Sequence, residues 1–381
     1  VAALAAVSTS AWLSITLLPY EVSTLSVGYH LGQVRAGWIT AAELLALACS
    51  ATYVGQSIAL RDKRRLTILG IAIAAAATTG CLLTDQMVLI IGFRLLFSVG
   101  TGIIAAATNA LPALHQAPEK LFAYMQLALG VVFGLAIFVV GAVQSFAGRD
   151  AVFLVDLLFL LALGPVALLL PKGVVSDLAS LSTGPKVQLP KGAASSLAAL
   201  GLMWIAQGAL WAFVGTAGAE AGVDGDSLVH WLSIAGFTTP LGAVAAAALG
   251  ERRGYSVPLI AGFTTQVLVA LAMYCSFARP FYIAGALVSN MTTTFTTPYV
   301  QGVLASLDGT GRATALSGAA ANFGAAVGPA LGALLVAQTV APIGVTSAII
   351  LLISLGLALS SLRSLPASSR TRSTAMGEDH G

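Results

Sequence analysis

The chain has 381 residues, of which 57% are hydrophobic and only 9% charged, and its mean hydropathy is +0.92. Such a composition leaves too little polar surface to cover a soluble globule, so the sequence reads as an all-α polytopic membrane protein. The net charge of +3 then reflects loop topology and gives no reason to expect a nucleic-acid partner.

Apolar runs predict twelve spans, at roughly 3–27, 36–60, 66–84, 87–113, 121–146 and 151–170, then 194–219, 227–249, 256–276, 280–306, 312–337 and 340–363. The first run lacks a basic leader region and is followed by further spans, which predicts a retained helix rather than a cleaved signal peptide. Residues 171–193, with Lys172, Pro185, Lys186, Pro190 and Lys191, form the one long polar linker. The expected organisation is therefore a six-helix bundle at 1–170, a linker at 171–193, a second six-helix bundle at 194–363 and a tail at 364–381. Cys49, Cys81 and Cys275 stand singly in apolar stretches without CxxC spacing, so they read as packing thiols.

Basic residues set the orientation. With the N-terminus inside, only Arg35, Arg149 and Arg279 fall in outer loops and Arg94 falls within a span; every other Lys and Arg lies on the inner side. That asymmetry predicts a multi-pass protein of the cytoplasmic membrane with both termini and the linker cytoplasmic.

The same basic clusters disclose a repeat. Arg61, Lys63, Arg64 and Arg65 follow the second span, and Arg252 and Arg253 follow the eighth. At an offset of 192, Trp12 falls on Trp204, Gly55 on Ala247, Asn109 on Gln301 and Lys120 on Arg312; at 193, Trp38 falls on Trp231. A six-helix unit written twice raises the expectation of a binding site between the halves.

With this repeat in view, the segment Gly55, Ala59, Arg61, Asp62, Arg64 and Arg65 resembles the G-x-x-x-D-R-x-G-x-R-R loop of the major facilitator superfamily. Ala59 stands where that pattern has its Asp, and Asp62 where it has its second Gly. A second copy runs Leu249, Gly250, Glu251, Arg252, Arg253, Gly254. The resemblance covers nearly the whole chain and implies twelve helices in two pseudo-symmetric bundles. It also implies conformational gating by Gly55, Asp62, Arg64, Arg65, Glu251, Arg252 and Gly254. A plain positive-inside loop is the simpler alternative.

In the fourth span Arg94, Gly100 and Gly102 resemble the family's R-x-x-x-G-x-G element at longer spacing. An arginine inside hydrocarbon must face a cavity or a carboxylate. Depth counting at about 1.5 Å per residue puts Glu21, Glu43 and Arg94 all near 9–11 Å below the outer surface. The resemblance implies that the first and fourth helices line the central cavity, which favours Glu21 over Glu43 as the partner. A static ion pair that cements the bundle is the competing reading. Asp156 lies at the same depth, but the resemblance sends the sixth helix to the periphery, so it reads as an interfacial capping acid beside Arg149 and Asp150. His115 and His230 lie near helix ends and read as headgroup-level side chains.

Helical spacing supplies further candidates. Ser10, Ser14 and Glu21 share a line on the first helix, which also carries Tyr20; Arg94, Thr101 and Thr108 share one on the fourth. Trp204, Gln207 and Trp211 line one face of the seventh helix, Asn290, Thr294, Thr297 and Gln301 one face of the tenth, and Asn322 lies on the eleventh. Interhelical hydrogen bonding is the alternative role for these stripes. Gly318, Gly324, Gly328, Pro329 and Gly332 resemble the Gly-Pro element of the superfamily's efflux antiporters, although here it lies in the eleventh helix rather than the fifth.

No catalytic triad, HExxH, metal-ligand cluster or phosphate-binding GxxxxGK[ST] loop is present in the sequence, so neither an enzyme nor an ATP-driven pump is expected, and no cofactor or metal. The leading expectation is proton-coupled efflux of a small amphipathic or cationic organic compound by a monomer in contact with membrane lipid, because Glu21 and Glu43 outnumber Arg94 in an otherwise aromatic cavity. Glu21, Glu43 and Arg94 would handle the proton. Tyr20, Thr101, Trp204, Gln207, Trp211, Asn290, Thr294, Gln301 and Asn322 would meet the solute. The alternative is proton symport of an organic acid whose carboxylate binds Arg94. A uniporter or a receptor without transport stands behind both.

Overall fold

The structure is a computed structural model that describes residues 2–58, 61–111, 118–171, 192–223, 225–250, 254–307, 312–336 and 339–365. Among these the chain forms twelve helical spans, all near their predicted places. We number them α1 (Ala2–Gly28), α2 (Gly32–Gln56), α3 (Lys63–Leu82), α4 (Met87–Ala110), α5 (Pro118–Ala147) and α6 (Ala151–Leu163, continued by a 3-10 turn at Pro165–Leu169). The others are α7 (Ala193–Ala212 and Val214–Glu220), α8 (Gly225–Leu249), α9 (Ser256–Cys275), α10 (Arg279–Leu307), α11 (Arg312–Leu335) and α12 (Ala341–Leu362). Large apolar side chains such as Val88, Phe146 and Leu161 point outward, a surface suited to lipid.

The first helix departs from a uniform winding. A 3-10 turn at Thr9–Trp12 precedes α-helical Leu13–Thr16, the chain restarts at Leu18–Ser23, and Thr24–Gly28 is π-helical. Pro19 lies in the first turn of the restarted segment, where its missing N–H costs nothing but where it cannot extend a ladder from the preceding turn. Pro240, Pro298 and Pro329, by contrast, sit inside continuous helices.

Two compact units emerge: Val1–Val187 with Gly225–Phe237, and Gln188–Asp224 with Thr238–Gly381. Within the first unit α3 packs along α4 and α6, and α1 along α5; within the second, α9 packs along α10 and α12, and α7 along α11. These are the same neighbour pairs shifted by six helices, the structural counterpart of the sequence repeat.

Glycine permits two of these contacts. At Gly100 a Cβ would come within 2.7 Å of Gly70 O and 2.8 Å of Ala74 N, so α3 and α4 touch backbone to backbone. Gly324 and Gly328 do the same for α11 against Gly201 and Gly208 of α7, and Gly332 makes room for the Phe213 ring. The glycine run singled out in the sequence is a packing seam. Gly92, on an exposed face of α4, meets nothing within 4 Å. Gly100→Leu is therefore expected to lower the monodisperse fraction and thermal midpoint in detergent sharply, with Gly92→Leu close to the parent. Equal behaviour of the two, measured by fluorescence-detected size exclusion, would contradict the seam.

Candidate functional site

Four of the buried charged side chains of the first unit meet at one point. Arg94, one of the largest fully buried side chains, projects from α4 and is 1% exposed. Its Nε donates to Glu21 Oε1 of α1 at 2.6 Å and to Glu43 Oε2 of α2 at 3.1 Å, and its Nη1 donates to Asp156 Oδ2 of α6 at 2.9 Å. The guanidinium also lies over the rings of Phe97 and Phe153, at 4.4 and 5.5 Å from their centroids. Helical spacing explains the aromatic cradle: Phe97 follows Arg94 by three residues on α4, and Phe153 precedes Asp156 by three on α6.

Charge counting gives this cluster its chemistry. A single guanidinium neutralises one carboxylate, whereas three carboxyl groups surround it, so the dry site reaches neutrality with two protons held among the acids. The Nε nitrogen carries one hydrogen, for which Glu21 and Glu43 compete. Glu43 Oε1 and Asp156 Oδ1 are buried without a hydrogen-bond partner. The arrangement can bind and release protons while keeping Arg94 paired.

Asp156 corrects the sequence reading. It is fully buried and bonded to Arg94, not an interfacial cap. Its apparent companions Arg149 and Asp150 serve a separate network at the end of the bundle. There Arg149 pairs with Asp85, lies 4.6 Å over the Tyr29 ring and approaches Asp150, while Tyr29 donates to Asp150 Oδ1 at 3.2 Å. Partial burial and the Asp150 charge push the Tyr29 hydroxyl up to about 12, so it remains a donor at ordinary pH.

Several other candidates are buried. Tyr20 is buried with its hydroxyl unpartnered, and Thr101 donates to Ser98 O at 3.1 Å on its own helix. Ser10 and Ser14 are buried and their hydroxyls lack partners. Thr108 bonds back to Ile104 O at 2.8 Å, satisfying itself within α4.

The second unit replaces charge with amides and hydroxyls. Gln207 Nε2 of α7 donates to Ser289 Oγ at 3.2 Å and Asn290 Oδ1 at 3.3 Å on α10. Trp204 Nε1 and Asn290 Nδ2 are buried without partners, and Trp211 is buried on the same helix as Gln207. Thr294 Oγ1 donates to Thr239 O of α8 at 2.7 Å, which gives it an interhelical role; Gln301 Nε2 donates to Ser317 Oγ of α11 at 3.4 Å. Thr297 bonds to Thr293 O at 2.8 Å, and Asn322 is half-buried on α11. Sequence reasoning missed Gln266 of α9, which donates to Thr296 Oγ1 at 2.9 Å and leaves its Oε1 unpartnered. A lone amide in the middle of an apolar span was the available signal. Among the described residues no group of His, Cys, Asp and Glu has an arrangement that would hold a metal ion.

No family model matches the sequence. No curated protein matches it either. Solved structures do. The nucleoside transporter NupG superposes with a TM-score of 0.72 over 96% of this chain and 98% of its own, at 12% identity. The peptide transporter POT in complex with alafosfalin gives 0.72 over 96% and 95%, at 13% identity. The human organic anion transporter TETRAN gives 0.67 over 93% and 98%, at 14% identity. This chain has the major facilitator fold.

In that fold the loop between α2 and α3 is where the superfamily signature was read. Asp62 caps α3 by accepting from Arg65 N at 3.2 Å, which accounts for the acid at this shifted position. Arg64 is half-buried, Arg65 is exposed, and Gly55 is exposed with open space around it. Of the second copy, Gly254 adopts φ 64, a left-handed turn, while Glu251 and Arg252 lie outside the described residues, as do His115 and all but the two ends of the linker. His230 is exposed, edge-on to Trp231.

The cluster predicts a pH-dependent stability. Arg94→Gln strands three carboxyls without their cation, a loss of roughly 3–5 kcal/mol for a broken buried pair. The midpoint of thermal unfolding should drop clearly at pH 7.5 and recover toward the parent as pH falls and the acids take up protons. Asp156→Asn, which removes an acid that exceeds the cation, should cost far less. A midpoint indifferent to Arg94→Gln would show that the cation does not hold these helices.

Proposed function

We propose that this protein is a secondary active transporter that moves a small organic compound across the cytoplasmic membrane by alternating access, coupled to protons and working as an efflux antiporter. The observation that carries the coupling is the excess of buried acid over base at Arg94. Three carboxyls around one cation hold exchangeable protons in the middle of a membrane protein, where an unneeded acid is costly. Neutralising one member changes the balance for the others, so proton occupancy and packing of α1, α2, α4 and α6 are linked.

Glu21, Glu43 and Asp156 are the coupling acids in this reading, with Arg94 as their fixed counter-charge. The solute would meet Tyr20 and Thr101 of the first unit and Trp204, Gln207, Trp211, Asn290, Thr294, Gln301 and Asn322 of the second. Unpartnered donors at Trp204 and Asn290 favour a compound with hydrogen-bond acceptors on an apolar frame. The symport alternative asks Arg94 to bind a substrate carboxylate, and the engagement of its donors by three protein acids weighs against it. Structural neighbours named for nucleosides, peptides and organic anions give the fold no single substrate class.

A compound that stabilises the purified protein in a thermal-shift screen becomes the probe for proteoliposome flux. Accumulation driven by an imposed pH gradient should vanish in Glu21→Gln and in Asp156→Asn, with the ligand-induced shift retained; Arg94→Ala should lose both. Parent-like accumulation in the two acid variants would sink proton coupling at this cluster.

The basic asymmetry of the loops supports cytoplasmic termini and a cytoplasmic linker. A reporter fused after Ser176 is expected to read out as cytoplasmic, and a periplasmic signal would reverse the orientation.

A further inference from the structure

A cavity of about 160 Å³ opens into the first unit beside the Arg149 network. Tyr20, Thr24 and Gly28 of α1, Gln144 of α5, Arg149 of the turn at Gly148–Asp150 and Val152 of α6 form most of its wall. Gln144 and Arg149 are exposed, whereas Tyr20 and Val152 are buried, so the cavity runs inward from the bundle end toward these two.

Helical spacing carries its walls on to the acids. Glu21 precedes Thr24 by three residues, and Asp156 follows Val152 by four; side chains so spaced share a helix face about 5–6 Å apart. Two of the three carboxyls that hold Arg94 therefore lie about one turn beneath the cavity. Two buried oxygens along this line have no partner, Tyr20 Oη and Asp156 Oδ1, and Glu43 Oε1 of the same cluster is likewise unpartnered. Each such orphan is costly unless water reaches it. The cavity has room for about five waters at roughly 30 Å³ each.

We propose that this cavity is the aqueous proton inlet of the carboxyl cluster, a route inside the first bundle. The inference rests on the proton-coupled reading for its purpose and adds to it the entry point. At the rim Arg149 is outnumbered by Asp85 and Asp150, with neutral Tyr29 beside them, and a net acidic mouth concentrates cations such as hydronium. At the inner end the titratable groups are Glu21 of α1, Glu43 of α2, Asp156 of α6 and the Cys81 thiol of α3, all facing the Arg94 cation of α4. Hydrogen-bonded water brings a proton to whichever carboxylate has given one up, and Arg94 stays charged throughout.

Deuterium oxide is the probe, so no transported compound is needed. In reconstituted protein with Cys49, Cys81 and Cys275 replaced by Ala, Thr24→Cys is modified with a membrane-impermeant methanethiosulfonate, and attenuated-total-reflection infrared follows the exchange of protonated carboxyl groups after a switch to D₂O. The carboxyl band assigned to the cluster by its loss in Asp156→Asn or Glu43→Gln should exchange quickly before modification. After it, exchange should slow by about tenfold or more, as when it must wait for local opening, and recover when reductant removes the adduct. Recovery separates a plugged inlet from a misfolded protein. Complete labelling without slowing, absence of a cluster band, or failure of Thr24→Cys to label would each overturn the inlet. Loss of gradient-driven flux with this exchange behaviour intact would instead overturn the transport reading alone.

Discussion

A guanidinium placed in hydrocarbon must be neutralised where it stands, and the first unit is organised around that requirement. Arg94 draws one acid from each of three other helices, so α1, α2, α4 and α6 are fixed in depth and rotation by hydrogen bonds of 2.6 to 3.1 Å. Apolar packing alone would tolerate sliding between such helices, since lipid and side chains are equally oily. Phe97, whose ring lies against the guanidinium, belongs to a buried core with Leu13, Ile71, Ile104 and Leu160, and this low-dielectric lining strengthens the charge pairs. Polar bonding supplies the register and the apolar shell supplies its strength.

The second unit repeats the neighbour pairs of the first without its charge. Glu21 has Phe213 as its repeat mate, and that ring packs on Gly332 of α11; Glu43 has Gly236. In place of ion pairs stand Gln207 with Ser289 and Asn290, and Gln266 with Thr296. One six-helix plan thus carries two kinds of chemistry. Among the described residues the buried carboxyls stand in the first copy, and the second carries buried amides and hydroxyls in their place.

Spans were legible because hydrocarbon demands long apolar runs, and each of the twelve lies near its predicted place. The meeting of Arg94, Glu21 and Glu43 was legible for a related reason: a charge at depth needs a partner at the same depth, and rise per residue is constant enough to count. Asp156 carried the same depth signal, yet nearby Arg149 and Asp150 offered a cheaper explanation, and only three-dimensional packing shows that α6 turns it inward. The glycine run of α11 was legible in part. Its spacing matches an efflux element, but what the geometry uses is the absence of side chains against α7. The changes of winding in α1 follow from local hydrogen-bond choices that an apolar pattern does not record, Pro19 being the single visible trace.

That mixed winding sets α1 apart as a mechanical part. A 3-10 turn is overwound and a π turn underwound relative to an α-helix, so exchanging a few backbone bonds for their neighbours at Thr9–Trp12 or Thr24–Gly28 changes local twist. Between these two joints lies the stretch that bears Tyr20 and Glu21. Twist gained at one joint and given up at the other spins this stretch about its own axis while both ends of the helix stay anchored. A torsion of this kind would carry Glu21 toward or away from Arg94 without any helix leaving its place in the bundle.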